Sequence, residues 1–258
     1  MGTIMKAGNG ESFRNVARAR LVHPLWKKPS ATGLFIFEGS PNLLGRNWAE
    51  GKLDAAVVGA PVMHASGYGA YMTQALNYLQ SPVLEAPNQT IIYGVEDIAA
   101  ASFWPVSNYY GARSASDAAV SNGTFCQMTV SGSQQAYTGG MAHYSGTPGA
   151  PTANDVASFA RDVSGNARII AVRSSEPAGT IRCKDMTSGT EAVTTRSTGV
   201  RDICPLPLLV GSNYLARDTS PARRMFFAAI FSEALSDTDL NNFVAWKRAY
   251  WARRGIAV

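Results

Sequence analysis

From about residue 46 to residue 235 the chain is a succession of short runs rich in Val, Ile, Thr, Phe and Tyr, each ended by Gly, Pro, Asn or Ser. "DAAVVGAPV", "GAYMTQAL", "QTIIYGVED", "TFCQMTVSG", "ARIIAVRSS", "GTIRCKDM", "EAVTTRS", "LPLLVGS" and "RMFFAAIFS" follow one another with no helical periodicity between them. Many short strands joined by turns have few ways to bury their apolar faces, and the pattern predicts an all-β, two-sheet antiparallel sandwich. Alternation assigns the faces. Cys126, Met128 and Val130 share one side of their strand, and Phe125, Gln127 and Thr129 the other. Ile181 and Cys183 make a dry face against the wet one of Arg182 and Lys184, and Ser188-Gly189 reads as the following hairpin turn.

A chain of 258 residues, 46% hydrophobic, can close one large core, so a single domain is expected. No apolar stretch reaches the roughly 18 residues of a bilayer span, and "MGTIMKAGNGESFRN" has no signal-peptide core, so neither membrane insertion nor a leader is expected. Cys126, Cys183 and Cys204 are too scattered for a disulfide framework and form no C-x-x-C metal pair; they are expected as unbridged thiols packed like small hydrophobes. The net charge of +5 is spread along the chain rather than gathered on a recognition helix, which points away from nucleic acid.

The two ends differ from the middle. Residues 1–45 combine a short amphipathic stretch, "ESFRNVARARLV", a Pro-bearing linker, "HPLWKKPSATG", and a first strand, "LFIFEG". They read as an arm that docks on a neighbour, with Phe13, Arg14, Arg18 and Trp26 as the assembly candidates. The domain proper is then 46–258. It closes with a helix over 236–253, started by Ser236 with Asp239 three residues on. Leu240, Phe243, Val244, Tyr250 and Trp251 form its apolar stripe, and Lys247, Arg248, Arg253 and Arg254 are expected mostly in solvent or against an acidic partner.

Chemistry is harder to find. Acid–base work by two carboxylates on one strand needs spacing i, i+2, whereas Glu96 and Asp97 are consecutive and point to opposite faces, and Glu85 and Asp54 have no evident mate. There is no G-x-S-x-G elbow and no phosphate-cradling loop before a helix, and His23, His64 and His143 are isolated. No catalytic residue is assigned, and the chain reads as a non-enzyme.

Recognition has better candidates. "SFWPVSNYYGARS", residues 102–114, reads as a loop displaying Trp104, Tyr109, Tyr110 and Arg113, the mixture of rings and donors on which sugars stack and bond. "GGMAHYSGTPGAP" reads as a second loop, carrying His143 and Tyr144. The bland alternative for both is that the rings cap the core or pack on another subunit.

The order of several segments resembles one family. "LLVGSNY", then "RMFFAAIFSEALS", then a helix opening "DTDL" is similar to the last two strands and closing segment of laminin G-like, concanavalin A-like jelly rolls. Upstream, "GLFIFEGSPNLLGRNWAEGKLDAAVVGAPVMHASGYGAYM" resembles the family's entry region, "LEAPNQTIIYGVED" one of its strands, and "ARIIAVRSSEPAGTIRCKDMTSGTEAVTT" its paired strands about a Gly turn, so the likeness runs over about 40–258. It implies a jelly roll with a short C-terminal helix.

"SPNLLGRN" and "VVGAP" resemble the form found in bacteriophage tail fibres, spikes and other virion appendages. That implies a receptor-binding or appendage module contacting a bacterial surface glycan, with other virion proteins and copies of itself as partners, located in the virion after assembly in the host cytoplasm. Alternatives are a capsid, collar or tail decoration protein that uses the fold for protein contacts alone, and a cellular lectin-like protein. No cofactor is expected. The resemblance allows calcium at a loop rim, but Asp97, Asn108, Asp117, Asp155 and Asp202 lack metal-loop spacing and no ligand is assigned.

Overall fold

The computed structural model describes residues 23–98, 102–109, 111–114, 117–121, 123–144, 153–176, 178–196, 199–215 and 221–258. Its strands in chain order are β1 (Ala31–Ile36), β2 (Ala56–Val58), β3 (Val62–Met63), β4 (Ala70–Met72), β5 (Tyr78–Gln80), β6 (Gln89–Glu96), β7 (Phe103–Ser107), β8 (Gly111–Ser114) and β9 (Asp117–Ser121). They continue as β10 (Thr124–Ser131), β11 (Gln134–Tyr144), β12 (Ala153–Asp162), β13 (Ala167–Ser175), β14 (Thr180–Asp185), β15 (Glu191–Thr195), β16 (Val200–Arg201), β17 (Leu209–Val210) and β18 (Arg223–Phe231), and the helix α1 (Asp237–Ala252) follows.

Two eight-stranded antiparallel sheets face each other. The first runs β15-β14-β13-β6-β18-β4-β3 with β1 beside β18; the second runs β12-β11-β10-β7-β17-β5-β2 with β16 beside β11. The expected two-sheet jelly-roll sandwich with a C-terminal helix is the fold. Ile91, Tyr93 and Val95 of β6 and Ile170 and Val172 of β13 point into the space between the sheets, against Phe103, Cys126, Met128, Tyr137 and Met141 from the second sheet. The predicted dry face of Ile181 and Cys183 belongs to this core, all three cysteines are buried outside any disulfide, and Val130 is exposed where β10 runs out to its hairpin turn with β11. Gly189 takes the positive φ that the predicted hairpin turn demands, with Thr187 N–H and Ser188 N–H donating to Asp185 beside it.

The first sheet is buried on its outer face as well, which is why "MFFAAIF" is continuously apolar instead of alternating. Ile92, Ile169, Phe227 and Ala229 on that face receive Leu240, Phe243, Val244 and Trp251 from α1. Ser236 caps the helix by accepting from Asp239 N–H at 3.1 Å, as the sequence predicts. Close packing explains Gly94: a Cβ there would come within 2.7 Å of Trp251 and 2.6 Å of Phe227.

Three expectations are corrected here. Lys247 is 2% exposed, not solvated. Its ammonium lies 4.8 Å from the Phe227 ring and 5.0 Å from Tyr250, and a cation enclosed by rings is stabilised by their quadrupoles after it leaves water. Arg248 is likewise engaged, donating to the carbonyls of Met186 and Thr187. Trp26 is not held out for a neighbour: a single turn at Pro24–Lys27 sets it edge-on to Trp246 at 5.0 Å, buried against α1, while Lys28 pairs with Asp239 at 2.9 Å. The physical reason is that the linker's apolar residues find an uncovered helix flank in their own chain. Phe13, Arg14 and Arg18 lie outside the described residues.

Both predicted recognition loops begin in strands. Phe103–Ser107 is β7 despite Pro105, whose carbonyl still accepts from Gly211 N–H at 2.9 Å. "GGMAHY" is the end of the long strand β11, and its glycines mark close approach rather than a turn. A Cβ on Gly139 would lie 2.6 Å from Val172, and one on Gly140 2.0 Å from the Phe125 ring.

Candidate functional site

At one end of the sandwich β6 and β14 begin and β11 and β13 end, and of the sequence candidates His143 lies there. Trp104 does not display its ring there. It is 5% exposed on the outer face of the second sheet, stacked on Tyr109 at 4.7 Å and meeting Phe125 edge-on at 5.7 Å. Tyr109 is partly exposed, Tyr110 lies outside the described residues, and so do the side chains of Arg113 in β8 and Tyr144 in β11. The aromatic group is therefore a packed cluster with Tyr109 at its margin.

Below this end runs a buried polar post. Glu85 Oε1 accepts from Arg201 Nη2 at 2.8 Å and Thr124 Oγ1 at 2.7 Å, and its Oε2 accepts from Asn108 Nδ2 at 3.0 Å and Cys204 N–H at 3.1 Å. Arg201 Nη1 donates to Ser174 Oγ at 2.7 Å and to the Pro87 carbonyl at 2.6 Å, which ties the second sheet to the first. A buried ion pair stands only when its remaining lone pairs and protons are met, and here they are. Arg201 is 116 positions from Glu85, so no local pattern in the sequence points to the pair.

Above the post the inner walls turn polar. His143 follows Met141 by two residues on β11, and Asp155 lies opposite Met141 on β12, so both point between the sheets by strand alternation. His143 Nδ1 and Asp155 Oδ2 are 3.1 Å apart, without the alignment of a hydrogen bond. From the facing sheet Arg196 Nη2 donates to Glu176 Oε2 at 2.7 Å and stands 2.6 Å from Oε1. Burial pushes the Asp155 carboxyl above its ordinary pKa, while His143 and Arg196 pull it back only in part. Arg196 Nη1, His143 Nδ1 and Asp155 Oδ2 have no hydrogen-bond partner.

One layer deeper is a narrow crevice walled by Gln89, Thr124, Met141 and Ser174 together with Ile91, Val172 and Ile181. Gln89 is 2% exposed, and neither its amide oxygen nor its amide nitrogen has a partner. Leaving such a group unmet costs about 1–3 kcal/mol. Gln89, Glu176, Arg196 and Arg201 were missed from sequence, since each is an ordinary polar residue until the sheets bring them together.

Among the described residues no three of His, Cys, Asp and Glu are placed to hold a metal ion. Asp97 belongs to a different end, where Tyr137 Oη donates to it and Arg168 Nε lies at 3.0 Å; Arg168 in turn reaches Asp185 at 2.6 Å. Asn108 is spent on Glu85 and on Thr124 N–H, the Asp202 amide donates to the Ala142 carbonyl, and the Asp117 side chain lies outside the described residues. No helix among the described residues is long and apolar enough to cross a membrane.

No family model matches the chain, and no curated protein does. Solved structures do. The binding domain of botulinum neurotoxin DC, in complex with SialylT, superposes with a TM-score of 0.55 at 9% identity over 83% of this chain and 50% of that one. The serotype C1 binding domain gives 0.53 at 8% identity, over 82% of this chain and 51% of that one. Trypanosoma rangeli sialidase, captured with 2,3-difluorosialic acid as a covalent intermediate, gives 0.54 at 9% identity over 83% of this chain and 32% of that one. The chain spans about half the length of the toxin domains it matches. At these identities the likeness is one of fold: the chain shares a two-sheet antiparallel sandwich with these proteins.

Proposed function

We propose that the chain is a non-enzymatic binding module that holds a glycan across the polar mouth formed by His143, Asp155, Glu176 and Arg196. The observation that carries this reading is the convergence of four polar side chains from the two facing sheets, with His143 Nδ1 3.1 Å from Asp155 Oδ2 and Arg196 Nη2 2.6 Å from Glu176 Oε1, groups of the kind that bond sugar hydroxyls. The neighbours' complexes with SialylT and with difluorosialic acid add support by analogy of fold. Glu85 and Asp97 are each paired with a guanidinium and taken up by further hydrogen bonds inside the protein, which favours a structural role for both over acid–base chemistry. The setting implied by the resemblance of "SPNLLGRN" and "VVGAP" is a bacteriophage virion, with the module on a tail appendage that meets a bacterial surface glycan and sits among other virion proteins and copies of itself. Calcium has no part in this reading.

A second reading, a decoration protein that uses the sandwich for protein contacts, draws on the exposed Leu53, Val57, Val62 and Leu76 around the edge strands β2 and β3 and on the burial of Trp104. A glycan array probed with the full chain, paired with a product assay on every hit, separates them. Retention of specific glycans without cleavage is expected. Cleavage of a bound glycan removes the non-enzymatic part, and a blank array favours the second reading. Cryo-EM of a native particle tests the setting: density for this chain on an appendage is expected, and its absence from the particle refutes the virion assignment.

A further inference from the structure

We infer that the segment His23–Lys28 is a proton-operated clasp: a proton on His23 removes the cap on which the turn Pro24–Lys27 is built and loosens that turn from α1, uncovering the flank of the helix that carries Phe243 and Trp246. None of the residues of the mouth takes part, so the clasp stands whether or not a glycan binds there. His23 is buried on α1, its ring edge-on to Phe243 at 5.6 Å and tilted against Trp246 at 5.5 Å. Its Nδ1 accepts from Leu25 N–H at 3.3 Å and its carbonyl from Trp26 N–H at 2.9 Å. One residue thus starts the turn that lays Leu25 and Trp26, both buried, onto the helix.

An imidazole nitrogen accepts only through its lone pair. The imidazolium carries a proton on both nitrogens, so the charged ring turns a donor toward the Leu25 N–H and the cap is lost. The charges around this contact are Asp239 and Lys247 on α1, Lys247 lying 5.7 Å from the Trp246 ring, and Lys28 on the segment itself, which pairs with Asp239 at 2.9 Å and Glu233 at 3.4 Å. Burial lowers His23 below its ordinary 6.5, outweighing the hydrogen bond to the Asn242 backbone and the attraction of Asp239. The closed clasp therefore binds fewer protons than the open one: its hold is complete above pH 6.5 and weakens as pH falls below that value. Lys28 keeps the Asp239 carboxyl below its own ordinary value, so that pair stays charged through this window and the turn opens about Lys28 as an anchor.

The test is NMR on the full chain, whose three histidines and five tryptophans are few enough to assign by single substitution. Between about pH 7.5 and about pH 5.5 the His23 ring signals are expected to titrate with a midpoint below 6.5, and the indole N–H signals of Trp26 and Trp246 to move with that same midpoint. Chymotrypsin reads the opening itself. Cleavage after Trp26 in wild type, taken relative to His23→Asn at the same pH so that the protease's own pH dependence cancels, should rise by about threefold or more on acidification. Asn keeps a cap acceptor and does not titrate, so the indole signals of His23→Asn should stay still; His23→Ser takes its place if circular dichroism shows the Asn variant unfolded. The inference is overturned by a His23 midpoint at or above 6.5, by indole signals that stay still in wild type, follow another midpoint or still move in the variant, or by a cleavage ratio that ignores pH. Loss of the sandwich's circular dichroism over the same range overturns it too, because the change would then be global.

Discussion

Arg201→Ala isolates what the polar post contributes. The guanidinium is buried and donates to Glu85, Thr124, Ser174 and the Pro87 carbonyl, so its loss leaves Glu85 ionised in the interior with only Thr124, Asn108 and the Cys204 amide to hold it. Removing one member of a buried pair costs about 3–5 kcal/mol, mostly the desolvation of the charge left behind rather than the worth of the pair itself. For a domain of this size that corresponds to a fall of roughly 6–20 °C in melting temperature. The reasoning also says what rescues it: Glu85→Gln on the Arg201→Ala background removes the stranded charge, so the double variant should be more stable than Arg201→Ala alone. Urea melts of wild type, both single variants and the double variant form a complete cycle. The exposed pair Arg182–Glu191, 3.6 Å apart, serves as the control and should lose less than about 1 kcal/mol on Arg182→Ala. An Arg201→Ala loss below about 1 kcal/mol, or a double variant less stable than the single, would refute the claim that the post is an obligatory buried pair.

Phe243→Ala, fully buried between α1 and β18, should cost about 3–5 kcal/mol in a urea melt, whereas Arg253→Ala, exposed past the helix end, should cost less than about 0.5 kcal/mol; equal small losses would mean that α1 does not seal the sheet. Gly140→Ala should destabilise by about 1–3 kcal/mol, because the Phe125 ring must shift, and pairing it with Phe125→Leu should recover part of that loss. Burial raises the Asp97 carboxyl, but hydrogen bonds from Tyr137 and Arg168 outweigh it and hold the group below its ordinary 3.8, so its contribution is present above pH 3.8 and is lost as pH falls through the depressed value. Thermal melts should therefore show a steep acid limb below pH 3.8 that flattens in Asp97→Asn. Asp155 has the opposite sign: its raised value favours the protonated form, the folded state loses that advantage as pH rises through it, and Asp155→Asn should melt no lower than wild type at pH 7 even as it loses ligand.

Local order was legible in the residues. Alternation over Ile181–Lys184 placed one face of β14, the Ser188-Gly189 dipeptide placed its turn, and Ser236 with Asp239 placed the start of α1, because each signal acts between residues a few positions apart through the pleat, a turn dihedral or a cap. The same locality explains the misreadings. Pro105 and the Gly139-Gly140 pair look like loop residues, yet β7 needs only the carbonyl of Pro105, and β11 needs its glycines because Val172 and Phe125 press against them from other strands. Lys247 carries the sequence signature of a solvated position, and the rings of Phe227 from the sheet beneath and Tyr250 of the same helix contribute to making its burial tolerable. The candidate site belongs wholly to this second kind. Gln89, His143, Asp155, Glu176, Arg196 and Arg201 come from six separate stretches of chain, and nothing in any one stretch says which of the others it will face. Which strands are neighbours, and in what register, is decided by packing two whole sheets together, so the charge balance of the mouth exists only in the assembled sandwich.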